Sequence, residues 1–275
     1  MGSTVERLLV RTWNLFHGNT LPPGRRAFLE EMVRLASTDR PDVLCLQELP
    51  LWAHGKLAGW SAMTAVADVA QRPMLGPLPS TSGIGRILTE LHHGLIRSAF
   101  TGQGNAILLG SELALVEHRH VVLNSRGFRR TQARQLGLGG HTRLAWAKER
   151  RICQAVRLRR GDTMLVVGNL HATGHSDRRL ADAEVLRAAV FVDGVARPEE
   201  PVLLCGDFNV NVHESRTLAD LQGSEWGFTG ATPAGVDHVL VRSLPAAAPV
   251  RWPEDRRRLN GRLLSDHAPV EVEVG

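Results

Sequence analysis

The segment "PVLLCGDFN", residues 201–209, sets the interpretation of the whole chain. Its run of hydrocarbon side chains stops before Asp207, and an amide follows at Asn209. Asp and Asn commonly form turns after a buried strand, so these two residues either end a strand or lie on the rim of a site. The choice depends on how the other predicted strands end.

Length and composition indicate one large globular unit. The chain has 275 residues, of which 43% are hydrophobic and 22% are charged, and this suffices for a sizeable core. We interpret it as a single domain over residues 1–275. No apolar run approaches the roughly 20 residues that span a bilayer, and the start of the chain lacks the pattern of a secretory peptide. The sequence therefore predicts a cytoplasmic monomer without a membrane span.

The hydrophobic pattern predicts an α/β or α+β chain in which helices cover sheets, because short β-like runs alternate with longer amphipathic segments. Strands are predicted within residues 7–15, 41–48, 105–110, 113–123, 151–158, 163–172, 201–205, 237–241 and 268–274. Helices are predicted within residues 23–37, 85–96, 176–192 and 212–222, with Ser176 as the N-cap of the third. Residues 125–151 combine many arginines with glycines and are interpreted either as a solvated loop or as a surface that meets phosphates.

Charge and cysteine content restrict the partners and the metal. The formal net charge is +5 and the isoelectric point is about 10.0, which suits a polyanionic partner such as nucleic acid. The three cysteines lie in apolar segments without a close-spaced pair. They are predicted to be buried free thiols, and the lack of a thiolate cluster argues against zinc.

Polar residues stand at the ends of most predicted strands. They are Asn14, Glu48, His171, Asp207, Asn209, Asp237, Asp266 and His267. Each alone is more often a turn residue or hydrogen-bonded scaffold than a functional group. In a layered α/β fold, however, residues at one end of neighbouring strands lie side by side, so the whole set is expected to converge on one rim.

The predicted rim has the chemistry of a hard-metal phosphate site. Glu48 and Asp266 supply oxygen ligands of the type that Mg²⁺ or Mn²⁺ prefers. The two asparagines, Asn14 and Asn209, can hold phosphate oxygens without adding negative charge. Imidazoles and carboxylates supply proton transfer and transition-state stabilisation. Such a set predicts metal-assisted in-line attack on a phosphoester.

Seven short motifs in order resemble the endonuclease/exonuclease/phosphatase superfamily, which is typified by pancreatic-type deoxyribonuclease and abasic-site endonucleases. They are "TWN" (12–14), "LQE" (46–48), "GNAIL" (104–108), "NLHAT" (169–173), "GDFN" (206–209), "VDHVLV" (236–241) and "SDH" (265–267). The resemblance extends from Arg11 to Val274. It implies a four-layer α/β sandwich, with two face-to-face, mixed, mostly antiparallel sheets and helices on the outside.

The same resemblance implies individual roles for the motif residues. Glu48 becomes the principal Mg²⁺ ligand, with Asn14, Asp266 and Asp207 in the metal and phosphate shell. Asp207 and Asn209 handle the nucleophilic water and the scissile phosphate. His171 and His267 stabilise the transition state, and Asp237 orients His267. Which of these residues takes the proton of the water is left open.

Departures from the motifs argue against some branches of the superfamily. Phe16 stands where abasic-site enzymes usually carry an acidic residue. The pairs Val210-Asn211 and Gly235-Val236 differ from the inositol polyphosphate phosphatase pattern. Four of the motifs also resemble tyrosyl-DNA phosphodiesterases, so end processing of DNA stays an alternative. A phosphatase or phosphodiesterase for small or lipid phosphoesters and a non-catalytic binding module are the other two alternatives.

Basic and aromatic residues near the motifs favour DNA as the substrate. Arg150 or Arg151 is the candidate phosphate contact, because deoxyribonuclease-like members carry basic residues before the corresponding strand. The segment "RWPEDRRRLNGR", 251–262, adds positive charge just before the last motif. Its Trp252 is a candidate for stacking on a base. The sequence thus predicts a Mg²⁺- or Mn²⁺-dependent nuclease.

Overall fold

Two β-sheets carry the motif residues. The structure is a computed structural model that describes residues 7–75, 78–79 and 102–275. The first sheet has the strand order β13-β16-β1-β3-β7-β4. Its strands are β1 (Leu8–Asn14), β3 (Val43–Leu49), β4 (Thr64–Gln71), β7 (Gln103–Leu109), β13 (Val250–Arg251) and β16 (Val270–Val274). Only the β1–β3 pair among these strands is parallel.

The second sheet has the strand order β12-β11-β10-β9-β8. Its strands are β8 (Ala114–Val122), β9 (Ile152–Arg160), β10 (Thr163–His171), β11 (Val202–Asp207) and β12 (Asp237–Arg242). The β10–β11 pair is parallel and the other three pairs of this sheet are antiparallel. Short strands form two further ribbons: β2 (Thr20–Leu21) with β14 (Arg258–Leu259) and β15 (Arg262–Leu264), and β5 (Met74–Leu75) with β6 (Leu78–Pro79).

Helices cover the outer face of each sheet. The described α-helices are α1 (Leu29–Ala36), α2 (Leu51–His54), α3 (Leu57–Ser61), α4 (Arg126–Gln135), α5 (Gly140–Lys148), α6 (Arg179–Asp193) and α7 (Arg216–Gln222). Two 3-10 turns lie at Phe16–Gly18 and Asp255–Arg257. Within the described ranges, no helix combines the length and the apolar character needed to cross a bilayer.

Apolar residues from both sheets meet in the centre of the sandwich. Val10 and Ile107 of the first sheet belong to the same buried cluster as Val167 and Val239 of the second. Separate clusters bury α1 against the first sheet and α6 against the second. The predicted sandwich of two mixed, mostly antiparallel sheets with helices outside is therefore confirmed.

Strand β10 shows why the central strands read as unbroken hydrophobic runs. Leu165 and Val167 face the core between the sheets. Val166 and Leu170 face the opposite way and pack under the outer helices. A strand that is buried on both faces loses the alternation of apolar and polar residues that marks a half-exposed strand. The segment "MLVVGNL" could therefore be recognised as a strand, but its two faces could not be told apart.

Two predictions of local structure are wrong. The segment 125–151 is not a loop, because α4 and α5 form there and bury Phe128 and Trp146 in a small cluster of their own. Ser176 is not an N-cap: α6 begins at Arg179, and the Asp177 carboxylate accepts a hydrogen bond from the Arg179 backbone N–H at 3.3 Å. The helix predicted within residues 85–96 lies outside the described residues.

Gly206 of β11 is the register partner of Leu170 in β10. Its φ is +136°, and a Cβ added there would lie 1.9 Å from the carbonyl oxygen of Leu170. Only glycine has both the backbone freedom and the absent side chain that this position requires. The glycine of the "GDFN" motif is therefore needed for the sheet that positions Asp207.

We expect Gly206→Ala to lower the free energy of unfolding by about 3 kcal/mol or more, because the methyl group forces the two strands apart. Urea denaturation provides the measurement. Gly127→Ala is the matched control. Gly127 lies in α4 with nothing within 4 Å of an added Cβ, so it should gain about 0.5–1 kcal/mol. Equal stability of the Gly206 variant and the wild type would contradict the close approach.

Candidate active site

The polar residues that end the strands converge on one edge of the sandwich. β10 and β11 run in parallel, so His171 and Asp207, which end them, are register partners. β12 runs antiparallel to β11 and begins there, which places Asp237 opposite Asp207. β1 and β3 deliver Asn14 and Glu48 to the same edge from the other sheet.

Asn14 joins the two sheets within the site. Its amide nitrogen donates to Asp207 Oδ2 at 2.9 Å and to Glu48 Oε1 at 3.2 Å. Its side-chain oxygen accepts from the backbone N–H of Phe16 at 2.9 Å. In this orientation Asn14 offers a donor to both carboxylates. It acts here as a bridge between two carboxylates of the site.

Glu48 is turned into the site by an irregularity of β3. The register of β3 against β7 shifts between Leu46 and Leu49, and Glu48 has a φ of +54°. Two imidazole nitrogens contact its carboxylate: His17 Nε2 lies 3.2 Å from Oε2, and His171 Nε2 lies 3.5 Å from Oε1. The side chain of Glu48 keeps 18% of its surface exposed, so the carboxylate stays open to solvent.

Asp207 is a buried acid with an altered proton affinity. Burial, followed by the charge of Asp237, raises the pKa of Asp207 to about 7, although His267 and the hydrogen bond from Asn14 oppose the shift. The Oδ1 atom accepts from the backbone N–H of Asn209 at 2.9 Å. Because its pKa lies near neutrality, the carboxyl of Asp207 can both accept and release a proton there.

His267 forms a charged pair with Asp237. Its Nδ1 lies 2.9 Å and 3.1 Å from the two carboxylate oxygens of Asp237. Burial lowers the pKa of His267, but the hydrogen bond and charge of Asp237, with the charges of Asp207 and Asp266, outweigh it and raise the pKa to about 10. His267 is therefore an imidazolium, and its Nε2 lies 3.9 Å from Asp207 Oδ2.

His171 has the opposite charge state. Its burial, and next the charge of Arg151, lower the pKa of His171 well below its ordinary value. Arg151 Nη1 lies 2.9 Å from Nδ1 and 2.8 Å from Nε2 of the ring. A guanidinium has only donors, so it favours the neutral imidazole. The site thus contains one neutral and one charged histidine on either side of Asp207.

Asp266 and Asn209 occupy the rim. Asp266 is exposed as a residue, but partial burial of its carboxylate raises its pKa, with His267 opposing and Glu48 adding to the shift. Asn209 has a φ of +53° and its amide nitrogen donates to the Ala172 carbonyl at 3.0 Å. Asn209 therefore ties the loop after β11 to the loop after β10.

The predicted DNA contacts differ in their exposure to solvent. Arg150 is exposed. Arg151 points inward, where its guanidinium contacts His171 and donates to Glu149 at 2.6 Å. Trp252 is 2% exposed, and the Cζ atoms of Arg11 and Arg256 lie 4.4 Å and 3.6 Å from its ring centroid. The prediction that Trp252 stacks on a base is therefore wrong, because its ring is covered.

Sequence reasoning missed His17 and the polar pair beneath the site. His17 lies in a 3-10 turn with a φ of +52° and contacts Glu48. Its position three residues after the motif asparagine was the available signal. Gln47 and Asn169 are buried, and the amide nitrogen of Gln47 donates to the Asn169 side-chain oxygen at 2.8 Å. Each precedes a site residue by one or two positions and links the two sheets.

The donor set fits a hard divalent cation. Glu48 and Asp266 offer carboxylate oxygens close enough for the charge of Glu48 to raise the pKa of Asp266, a repulsion that a cation between them would relieve. Asp207, Asp237 and His267 also each place one donor atom within 4.8 Å of the others. The ion pair of His267 with Asp237 accounts for that second group without a metal.

A layered α/β sandwich with carboxylates, amides and histidines at one edge defines a hydrolytic class of site. The model of the Endonuclease/Exonuclease/phosphatase family matches residues 12–267. The chain belongs to this family, which identifies it as a phosphoester hydrolase of the nuclease, phosphodiesterase or phosphatase kind. No curated protein matches the chain.

Solved structures share the fold over almost the whole chain. An endonuclease/exonuclease/phosphatase from Bacteroides vulgatus has a TM-score of 0.68 and 14% identity, covering 98% of this chain and 99% of that chain. Humanized D. rerio TDP2 has a TM-score of 0.64 and 14% identity, with the same coverage. The human Nocturnin catalytic domain with bound sulfate has a TM-score of 0.64 and 15% identity, covering 98% and 93%. At these identities the likeness shows the fold alone.

We expect Asp237→Asn to lower the pKa of His267 from about 10 by about two units or more, because the variant removes the charge that favours the imidazolium. Titration of the ¹⁵N-labelled imidazole by NMR, in the presence of a chelator, measures the pKa of His267. Asp68→Asn is the control, since Asp68 pairs with His118 at 2.6 Å. A His267 pKa that does not respond to Asp237→Asn would contradict the assigned pair.

Proposed function

We propose that the chain is a Mg²⁺- or Mn²⁺-dependent phosphodiesterase that hydrolyses DNA. The observation that carries the proposal is the pair formed by Asp207 and the His267 imidazolium. Asp207 has a pKa of about 7, and His267 has a pKa of about 10. Two neighbouring groups with separated pKa values are the arrangement expected of an acid and a base in one reaction.

Glu48 and Asp266 would hold the cation, since both are carboxylates at the open rim. When bound, the cation supplies charge neutralisation at the phosphate oxygens and lowers the pKa of a ligated water. Asn14 fixes the position of Glu48 through its hydrogen bond. His17 contacts the second oxygen of the same carboxylate. Both contacts keep Glu48 turned toward the rim.

The remaining site residues handle the proton and the phosphate. Asp207 in its ionised form takes the proton of the attacking water. The Nε2–H of His267 donates to a non-bridging phosphate oxygen, where negative charge increases in the transition state. His171 remains neutral beside Arg151 and donates through the ring nitrogen that carries its proton. Asn209 holds the loop that delimits the phosphate position.

The choice of DNA over a small phosphoester is supported by the surface beside the site. Arg150 is exposed next to Arg151, which reaches His171. Two cavities share Arg150 in their lining, and further arginines line both: Arg126 and Arg129 in one and Arg72 in the other. An open basic surface favours a polymer over a small molecule, which generally requires an enclosed pocket.

We expect Glu48→Gln to reduce metal-dependent cleavage of plasmid DNA by about 10³-fold, because the variant loses the charge that holds the cation. Glu214→Gln is the matched control, since Glu214 is 48% exposed and pairs with Arg178 at 3.5 Å. Gel assays with Mg²⁺, Mn²⁺ or a chelator measure the rates. Cleavage that survives both the chelator and Glu48→Gln would refute metal dependence.

We expect the hydrolysis rate to fall as the pH is lowered through about 7, the pKa of Asp207, because protonated Asp207 cannot accept a proton. Asp207→Asn should lose most of the activity, and the fall in rate at low pH should disappear with it.

A panel of plasmid, nicked, abasic and 3′-blocked DNA, RNA, and small and lipid phosphoesters identifies the substrate. Turnover confined to the non-nucleic-acid compounds would replace the DNA assignment with the small-phosphoester alternative.

A further inference from the structure

The positive charge of the chain is concentrated in one segment. Residues 118–148 contain seven of the 33 Arg and Lys residues and none of the 28 Asp and Glu residues. Removing those seven leaves 26 cations against 28 acidic residues, so the rest of the chain has a formal charge of −2. The high isoelectric point therefore reflects a local feature of the fold.

The segment folds as an insertion into a hairpin. β8 and β9 pair directly up to Val122 and Ile152, and α4 and α5 lie between these two ends. Asn124 closes the base of the insertion: its side-chain oxygen accepts from the Arg151 backbone N–H at 2.9 Å, and its amide donates to the Glu149 carbonyl at 2.7 Å. The insertion thus emerges beside the Arg151–His171 contact of the active site.

One side of the insertion presents arginines without acidic partners. Arg126, Arg130 and Arg134 follow one another at spacings of four along α4, and all three are exposed. With Arg143 of α5, we call them the arginine face. None of the four pairs with a carboxylate among the described residues. Like charges at this spacing destabilise a helix by about 0.2–0.5 kcal/mol for each pair, so the pattern serves something other than helix stability.

The opposite side of the insertion packs against α6 and is linked through it to the residues that follow β10. Phe128 and Trp146 pack with Leu180 of α6 in a buried cluster. The indole N–H of Trp146 donates to Glu184 at 2.5 Å, and the same carboxylate accepts from the Thr173 backbone N–H at 2.6 Å. Thr173 lies two residues after His171. The arginine face is therefore held in a fixed position relative to the site.

Three cavities that share lining residues connect the arginine face with Arg150, which precedes Arg151 of the site. The first, about 320 Å³, is lined by all four arginines of the face. The second, also about 320 Å³, shares Arg126 with the first and reaches Arg150. The third, about 530 Å³, shares Arg150 and adds Arg72 and His120. Arginines thus line all three cavities, from the arginine face through Arg150 to Arg72.

We propose that the arginine face binds the phosphate backbone of a nucleic acid strand on one side of the scissile phosphate, a role that rests on the proposed function. Arg126 and Arg134 are eight residues apart, about 12 Å along a helix, so the row of three arginines is long enough to contact more than one phosphate of a duplex strand. Leu144 is the large apolar residue that α4 and α5 expose. One such residue gives a membrane surface little to bury, so the chemistry favours a polyanion over a bilayer.

The test compares two charge-matched triple variants in a binding assay. Arg126→Gln, Arg130→Gln and Arg134→Gln together remove three phosphate contacts. Fluorescence anisotropy with a labelled duplex of about twenty base pairs, in a chelator, gives the dissociation constant at several salt concentrations. We expect at least about tenfold weaker binding at low salt, and a slope of log K against log salt that is shallower by about 2.7.

The control triple variant is Arg40→Gln, Arg159→Gln and Arg197→Gln. These arginines are exposed and precede β3, end β9 and precede β11, at the edge opposite the site. It carries the same change in net charge and should keep the wild-type slope. Equal slopes in the wild type and both variants, or equal losses in both variants, would overturn the proposal.

Two additional variants distinguish phosphate binding from membrane binding and from catalysis. Arg126→Lys, Arg130→Lys and Arg134→Lys together retain the charge and should keep the wild-type slope, whereas a shallower slope in this variant would overturn phosphate binding by charge. Loss of binding to phosphatidylserine vesicles in the glutamine variant, with DNA binding unchanged, would assign the face to a membrane instead. Glu48→Gln should bind the duplex with the wild-type slope, which separates DNA binding from cleavage. Wild-type protein that binds the duplex but does not cut it would refute the nuclease function without refuting the arginine face.

Discussion

The geometry of the site depends on a buried hydrogen-bonded pair that spans the two sheets. Gln47 of the first sheet donates to Asn169 of the second at 2.8 Å and to Thr12 at 2.9 Å. Asn169 in turn donates to the carbonyls of Leu46 and Ala106. Buried amides that lose a partner cost about 1–3 kcal/mol each, so sliding or separation of the sheets is penalised at this edge. Glu48 follows Gln47 directly, and His171 lies two residues after Asn169, so this pair holds both site residues in place.

The site also contains two buried carboxylates whose mutual repulsion must be compensated. Asp207 is 1% and Asp237 5% exposed, and two neighbouring buried carboxylates would repel each other strongly if both were ionised alone. The imidazolium of His267 lies against both, and Asn14 donates to one of them. Burial of His171, and next the charge of Arg151, lower the pKa of His171 and so prevent a second imidazolium. Stability of the folded site and the separation of its proton affinities therefore come from the same contacts.

The hydrophobic runs predicted the α/β class and the convergence of the strand-end residues on one edge, whereas the sandwich of two sheets was implied by the resemblance of the motifs. A strand ends where its hydrocarbon ends, and the polar residue after it is fixed to that end, as at Asp207 and His171. Contacts that depend on tertiary packing were beyond reach. Glu48 is turned by a register shift, and Trp252 is covered by Arg11, a residue more than two hundred positions away.

The helical insertion escaped prediction for a different reason. Its apolar residues are few, since Phe128, Ala133, Leu138 and Trp146 form only a small cluster, and the surrounding arginines and glycines resemble a loop. Arginine is nonetheless a good helix former. The inward turn of Arg151 could not be told from the outward one of Arg150, because adjacent residues at a strand start point to opposite sides and either order fits the sequence.

The hairpin that carries the insertion has a consequence for how such a protein changes over evolutionary time. β8 and β9 pair up to Val122 and Ile152, and the Asn124 contacts close the junction. Segments of other length or charge can join the two strands at small cost in loop-closure entropy, provided that they keep a donor to Glu184 where Trp146 now lies. The strands that carry the site would retain their residues, while the surface proposed to bind nucleic acid changes independently of them.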